Sequence, residues 1–154
     1  MAKIEARLKE LGLTLPESPP PMANYVSVQR TDNLLFFSGS GPFQDGKPVV
    51  FGKLGKELTI EDGYNAAKLT ALNLISILKK TVGDLDKVKQ IIKLLAFVAS
   101  TDDFTQQPAV VNGASDLLVE VFGDKGRHAR SAIATNVLPF NLPIEIEMIV
   151  EVES

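Results

Sequence analysis

Two stretches of this chain are apolar at every position, Leu34-Leu35-Phe36-Phe37 and Leu94-Leu95-Ala96-Phe97-Val98-Ala99. A strand sends successive side chains to opposite faces, so strands of a sheet with one wet face alternate polar and apolar residues. Neither stretch alternates, and a sheet built from them needs cover on both sides. The 154 residues make one domain, long enough to bury roughly two thirds of the surface the unfolded chain would expose. The pattern offers two long helices, enough for one face. With no more chain available, another copy is the expected cover for the second.

Ile4, Leu8 and Leu11 recur at helical spacing, Gly12 ends the run, and Pro16, Pro19, Pro20 and Pro21 form a stiff spacer. Residues 1–21 therefore read as an appended helix and linker, and residues 22–154 as the main domain. Strands are expected over 25–29 and 34–38, joined at Thr31-Asp32-Asn33, with a short one over 48–51. Thr59-Ile60-Glu61-Asp62 has the form of a capping box. Behind it Ile60, Tyr64, Ala67, Ala71, Leu74 and Leu78 repeat every three or four residues until Gly83. A strand over 88–100 follows, then a helix from about Pro108 to Gly123, then strands over 129–137 and 144–153. This order predicts an α+β layer, one mostly antiparallel or mixed sheet with both long helices on one face.

Composition removes much familiar chemistry. There is no cysteine and one histidine, His128, so disulfides, thiolate nucleophiles and Cys/His zinc sites are excluded. No metal centre built on Cys/His ligands is expected. A net charge of −3 argues against nucleic acid as the main partner. The start of the chain lacks a signal-type apolar region, and the longest apolar run is far short of the ~20 residues of a membrane span. A cytoplasmic protein without a membrane partner is expected.

Arg130 opens the strand Arg130-Ser131-Ala132-Ile133-Ala134, where period two puts Ala132 and Ala134 on its own side. Above that floor of small side chains a guanidinium has room to hold a carboxylate bidentately; the other reading is a structural ion pair or a solvated strand end. Glu145 and Glu147 share a face of the last strand, roughly 7 Å apart. They could divide acid and base roles, or belong with Glu151 and Glu153 to the wet face of an edge strand. His128 reads as a loop residue, an ion-pair partner or a catalyst, and Tyr25 as a phenolic donor or a half-buried sheet residue. Ser38-Gly39-Ser40-Gly41 lacks the form of a phosphate loop and reads as a turn at a strand end.

In order and spacing, Ala129-Arg130-Ser131-Ala132-Ile133, Leu138-Pro139 and Ile144-Glu145-Ile146-Glu147 resemble the C-terminal signature of the reactive-intermediate deaminase family, also called YjgF or L-PSP. Tyr25, Phe37-Ser38-Gly39, Gly83-Asp84-Leu85 and Val111-Asn112 add to the resemblance, which spans about residues 22–152 and leaves the N-terminal helix outside. It implies a chorismate-mutase-like fold, a homotrimer around a central barrel, and clefts between neighbouring subunits. It implies hydrolysis of 2-imino acids and their 2-aminoacrylate-type enamine tautomers to 2-oxo acids and ammonia, without a cofactor. Matched residue by residue, Arg130 is the carboxylate anchor and Glu145 the water-positioning acid/base. Tyr25, Ser38, Gly39 and Asn112 match cleft positions, with His128, Ser131 and Glu147 as further candidates. Ala132 stands where the family often has Cys, His128 where Pro or Ala is usual, Asn136 where a small or basic residue is expected, and Ser40 where Gln is common. Those departures keep a non-catalytic trimeric carboxylate-binding or regulatory protein as the alternative. The endoribonuclease activity attached to the family name has little support from one histidine and no basic stripe.

Overall fold

The computed structural model describes residues 2–154; Met1, the first residue of the expected N-terminal segment, lies outside them. Along the chain run α1 (Lys3–Glu10), β1 (Val28–Thr31), β2 (Leu34–Phe37), β3 (Phe43–Gln44), β4 (Lys47–Pro48), α2 (Ile60–Val82), β5 (Val88–Ala99), α3 (Gln107–Phe122), β6 (Ala129–Thr135) and β7 (Ile144–Val152). Five strands form one sheet in the order β1-β2-β7-β5-β6, and β3 and β4 form a separate hairpin. Every pairing in the main sheet is antiparallel except β5 with β6, whose parallel register needs the crossover that α3 provides. This is the expected α+β layer with a mixed sheet.

The last strand lies in the middle of the sheet and is no edge. β2 pairs on one side of β7 and β5 on the other, while the crossover sets β6 outside β5. The alternation in β7 therefore separates a core face from an open face. Ile144, Ile146, Met148, Val150 and Val152 are all buried and pack with Leu94, Ala96 and Val98 against α2 and α3. Each such side chain contributes about 1.5–3 kcal/mol by leaving water.

Both long helices form as their sequences predict. The Thr59 hydroxyl accepts from the Asp62 N–H at 3.2 Å while the Asp62 carboxylate accepts from the Thr59 N–H at 2.9 Å, closing the capping box. Where α2 meets α3, a Cβ on Gly113 would fall onto the Tyr64 carbonyl, so the two backbones approach as only glycine permits. That approach sets the position of α3 over β5 and β6.

The opposite face of the sheet stays largely apolar without helices on it. Registers place Phe36, Leu95, Phe97, Ile133 and Ile149 there with Lys93, Ser131, Glu145 and Glu147. Phe36 is 41% exposed and Ile133 46%. Within one chain this face has no protein cover, the geometry anticipated from the doubly apolar strands.

Three strands depart most from the sequence pattern. β1 begins at Val28 and not at Tyr25: the ladder runs out in the Ser38 N–H bond to the Ser27 carbonyl at 2.9 Å, beside which the Ser38 hydroxyl donates to the Val26 carbonyl at 2.7 Å. The strand expected over 48–51 shrinks to the second arm of the β3–β4 hairpin, turned at Asp45-Gly46, both with positive φ. β6 stops at Thr135, two residues early. The N-terminal helix is joined to the rest. The Asp86 carboxylate accepts from the Lys3 and Ile4 N–H groups at 2.8 and 2.9 Å, and Leu8 is buried in the main core. Those two bonds hold the Asp86 carboxyl below its ordinary range. No helix of the described residues is long and apolar enough to cross a membrane.

Replacing Gly113 by Ala forces α2 and α3 apart, and overpacking of this kind typically costs about 1–3 kcal/mol. A denaturant midpoint lowered accordingly, with an unchanged m value, is the expected result; an unchanged midpoint would show that the crossing tolerates a methyl group.

Candidate functional site

The main cleft begins with an interruption in strand pairing. Phe36 lies opposite Ile149, yet Ser40 bridges Ile146 through two hydrogen bonds of 2.9 Å, so four steps on one strand match three on the other. That extra residue is a β-bulge, a device that re-aims side chains at a sheet margin. Across the bulge lies Glu145. A Cβ on Gly39 would stand 2.8 Å from the Glu145 Cδ, so the glycine leaves the space the carboxylate occupies. Glu145 then forms part of the wall of a cavity of about 180 Å³ with Tyr25, Ser27, Ser38, Gly39 and Ser40.

The second cluster is built around Arg130. Its Nη1 donates to Asn112 Oδ1 at 2.8 Å and to Ser115 Oγ at 3.1 Å, and its Nη2 donates to the Pro108 carbonyl at 3.3 Å. None of these partners is a carboxylate, which removes the ion-pair reading and leaves the cation uncompensated by them. Ser115 in turn lies 2.8 Å from His128 Nε2, and His128 Nδ1 lies 2.6 Å from the Gly126 carbonyl. A carbonyl only accepts, so Nδ1 carries the proton and Nε2 accepts from the Ser115 hydroxyl. Arg130, Ser115, neutral His128 and Gly126 thus form one directed chain of hydrogen bonds.

Two pKa shifts distinguish these clusters. Burial raises the Glu145 carboxyl above its ordinary value, and the neighbouring Glu147 adds to the rise. His128 is lowered, first by burial and further by the Arg130 charge, against an opposing contribution from the Gly126 bond.

Of the sequence candidates, Tyr25, Ser38, Gly39 and Glu145 share the first cavity, while Arg130, Asn112 and His128 share the second cluster. A single chain does not bring the two together. Arg130 pairs with Leu94 and Glu145 with Phe97, putting the two residues on opposite faces of the sheet. Three residues along and two strands across add roughly 10 Å in each direction. Ser131 faces the open side, where its hydroxyl accepts from Lys93 Nζ at 3.0 Å, and Glu147 lies near Lys93 and Leu95, away from the cavity. Ser115 was missed, although its i,i+3 spacing from Asn112 on one helix face could have found it. Phe140 and the proline spacer, also part of the cavity wall, carry no local signal for that role.

Comparisons with known proteins bear on the family and the fold. A family model described as "YjgF/chorismate_mutase-like, putative endoribonuclease" matches residues 5–152, taking in most of α1. The chain is 41% identical over 153 residues to Protein TCP17 of Trypanosoma cruzi, covering 99% of this chain and 96% of that protein. It is similar to the crystal structure of Atu1372 from Agrobacterium tumefaciens, described as of unknown function, with a TM-score of 0.91 and 45% identity over 97% of this chain and 92% of the other. A structure from Shewanella oneidensis called "a putative endoribonuclease" gives a TM-score of 0.94 at 35% identity, covering 97% and 99% of the two chains. The chain belongs to the Rid/YjgF/L-PSP family and has its chorismate-mutase-like fold.

By carboxyl-carbon NMR, Glu145 should titrate above the ordinary glutamate value, and Glu147→Gln should lower its pKa without abolishing the shift, because burial remains. A Glu145 titration unmoved by that change would exclude coupling between the two. His128 should show the Nδ1–H tautomer and titrate below ordinary histidine, and Arg130→Gln should raise its pKa by removing a neighbouring positive charge. A fall on that change would contradict the directed chain.

Proposed function

We propose that this protein hydrolyses reactive 2-imino acids and their enamine tautomers to 2-oxo acids and ammonia, in clefts between neighbouring copies of a homotrimer. The observation that carries the reading is the Glu145 carboxyl, half-buried beside an open cavity with its pKa raised. A general acid/base works best when its pKa approaches the working pH, and this shift is in that direction. The Arg130 cluster supports the second half of the reading, since Asn112 and Ser115 hold a guanidinium for which their neutral groups provide no counter-ion.

The reaction needs orientation more than a strong nucleophile, because the imine carbon is already electrophilic; no cofactor is required for that. Arg130 holds the substrate carboxylate. With the imine nitrogen already protonated, Glu145 takes a proton from water as its oxygen bonds to the imine carbon, forming a tetrahedral amino alcohol. The nitrogen is then protonated, the C–N bond breaks with its electron pair leaving on ammonia, and the oxygen loses its proton as the carbonyl forms. An enamine enters the same route after protonation at its terminal carbon. Serine and tyrosine hydroxyls beside Glu145 are suited to hold the water and the departing nitrogen.

Assembly follows from the separation within one chain. A small imino acid is too short to join Arg130 and Glu145 through the sheet, so the anchor and the base of each cleft come from adjacent copies. Packing of the open faces would also cover Phe36 and Ile133. The same reading makes the protein cytoplasmic, with neither nucleic acid nor membrane as a partner.

Purified protein should accelerate 2-oxo acid release when an amino-acid oxidase generates imino acids. Glu145→Gln should lower kcat/KM by about 10²- to 10⁴-fold, and Arg130→Ala should lower it by about 10-fold or more. Light scattering should give three times the chain mass of 16.7 kDa. No acceleration with small, branched or aromatic imino acids would overturn the activity. Stabilisation by 2-oxo acids without turnover would point to a carboxylate-binding protein.

A further inference from the structure

The cavity that contains Glu145 has a lining of two chemical kinds. Tyr25, Ser38, Ser40 and Glu145 supply its polar groups, and Pro20, Met22, Phe43, Ile77, Phe140 and Leu142 its apolar wall. Glu145 is the one charged side chain among the described lining residues. Apolar walls with a few convergent polar groups are the usual form of a small-molecule site, where the polar groups orient the ligand and the apolar surface selects its body.

The spacer that supplies part of the apolar wall is anchored at its start. Proline fixes φ, and the spacer that carries Pro20 and Met22 continues from α1, whose first turn is tied to Asp86. Pro16 and Ser18 are buried along the way. On the other side of the mouth, Phe140 has φ 60° and ψ 19°, the left-handed region that a bulky L-residue rarely occupies, and Asn141 follows at φ 57°. Strain of this kind is often stored where a side chain must be presented to a ligand. Within one chain Met22 is 64% exposed and Phe140 54%, so two large apolar side chains of the lining are left open to a ligand. A ligand that covers them gains the burial that the folded chain leaves unused.

The volume, about 180 Å³, corresponds to roughly six liquid waters. A methyl side chain, as in the smallest 2-imino acid, would leave most of that space to water and would not reach the framing residues. A benzyl or isobutyl group would displace the water and contact the apolar wall. We infer that this wall is a side-chain pocket selecting 2-imino acids with large apolar, preferably aromatic, side chains, the N-terminal proline spacer and Phe140 being its specificity elements. The inference rests on the deaminase reading for the reaction, while the pocket's preference for ligand shape can be read without turnover.

The experiment uses the full chain and two readouts. Imino acids are generated by an amino-acid oxidase from phenylalanine, leucine and alanine, and binding of phenylpyruvate and pyruvate is measured by calorimetry. The phenylalanine-derived substrate should exceed the alanine-derived one in kcat/KM by at least about 10-fold, in line with the discrimination apolar pockets achieve. Phenylpyruvate should bind more tightly than pyruvate by a similar factor. Met22→Ala and Phe140→Gly should each bring both ratios towards one. The glycine suits the positive φ at 140, so misfolding should not account for the loss. Turnover that favours the alanine-derived substrate, or ratios unmoved by both variants, would overturn the pocket and leave the deaminase reading standing. Preferential phenylpyruvate binding without turnover would overturn the reaction and keep the pocket. Neither turnover nor preference would overturn both.

Discussion

The fold depends on the period of two in β7. Its Ile144, Ile146, Met148, Val150 and Val152 close the core against α2 and α3, while Glu145, Glu147 and Glu151 point the other way. Slipping the strand by one residue would exchange the two sets and bury three carboxylates, so the register has no close competitor. Since β7 is hydrogen-bonded on both sides, it also fixes where β2 and β5 lie. The same alternation that builds the core thus sets the height at which Glu145 emerges. The bulge before Ser40 and the missing side chain of Gly39 then open the space around it.

A second constraint orders the other cluster. The close approach of α2 and α3 at Gly113 immediately follows Asn112, so the contact that seats the helix also points its polar face at β6. Asn112 and Ser115 meet Arg130 there, and Ser115 passes the hydrogen bond on to His128. His128 is consistent with a fixed neutral imidazole, since burial and the nearby guanidinium both oppose its protonation. It acts on Arg130 through Ser115, which makes it a positioning residue in this arrangement.

Much of this was legible in the sequence because it is encoded locally. The capping box before Ile60, the helical repeat from Ile60 to Leu78 and the alternation after Ile144 each carry their own period, and all three elements form as read. The cover missing from one sheet face was also legible, from the unbroken apolar residues of β2 and β5. The misreadings concern relations between distant segments. β7 looks like an edge strand when its glutamates are counted, because nothing local says that β5 will pair with its far side. Tyr25 looks like strand because nothing local marks the end of the ladder, which closes at Ser27 on the N–H of Ser38, eleven residues away. α1 looks appended until Asp86, over eighty residues on, is found capping it. For the site, the family signature singled out Arg130 and Glu145, but their placement on opposite faces needed the β5 registers.

That separation has an electrostatic consequence. An arginine and a glutamate adjacent in one folded chain would pair, pulling the carboxyl below its ordinary pKa and filling the guanidinium fork. Here the sheet stands between them. Glu145 keeps a pKa raised by burial and by Glu147, and Arg130 spends its hydrogen bonds on neutral acceptors. Each group retains the property the proposed chemistry asks of it, a carboxyl raised above its ordinary pKa and a cation without a carboxylate partner. In a cleft between two copies the substrate would lie between them, its carboxylate meeting the cation before Glu145 can.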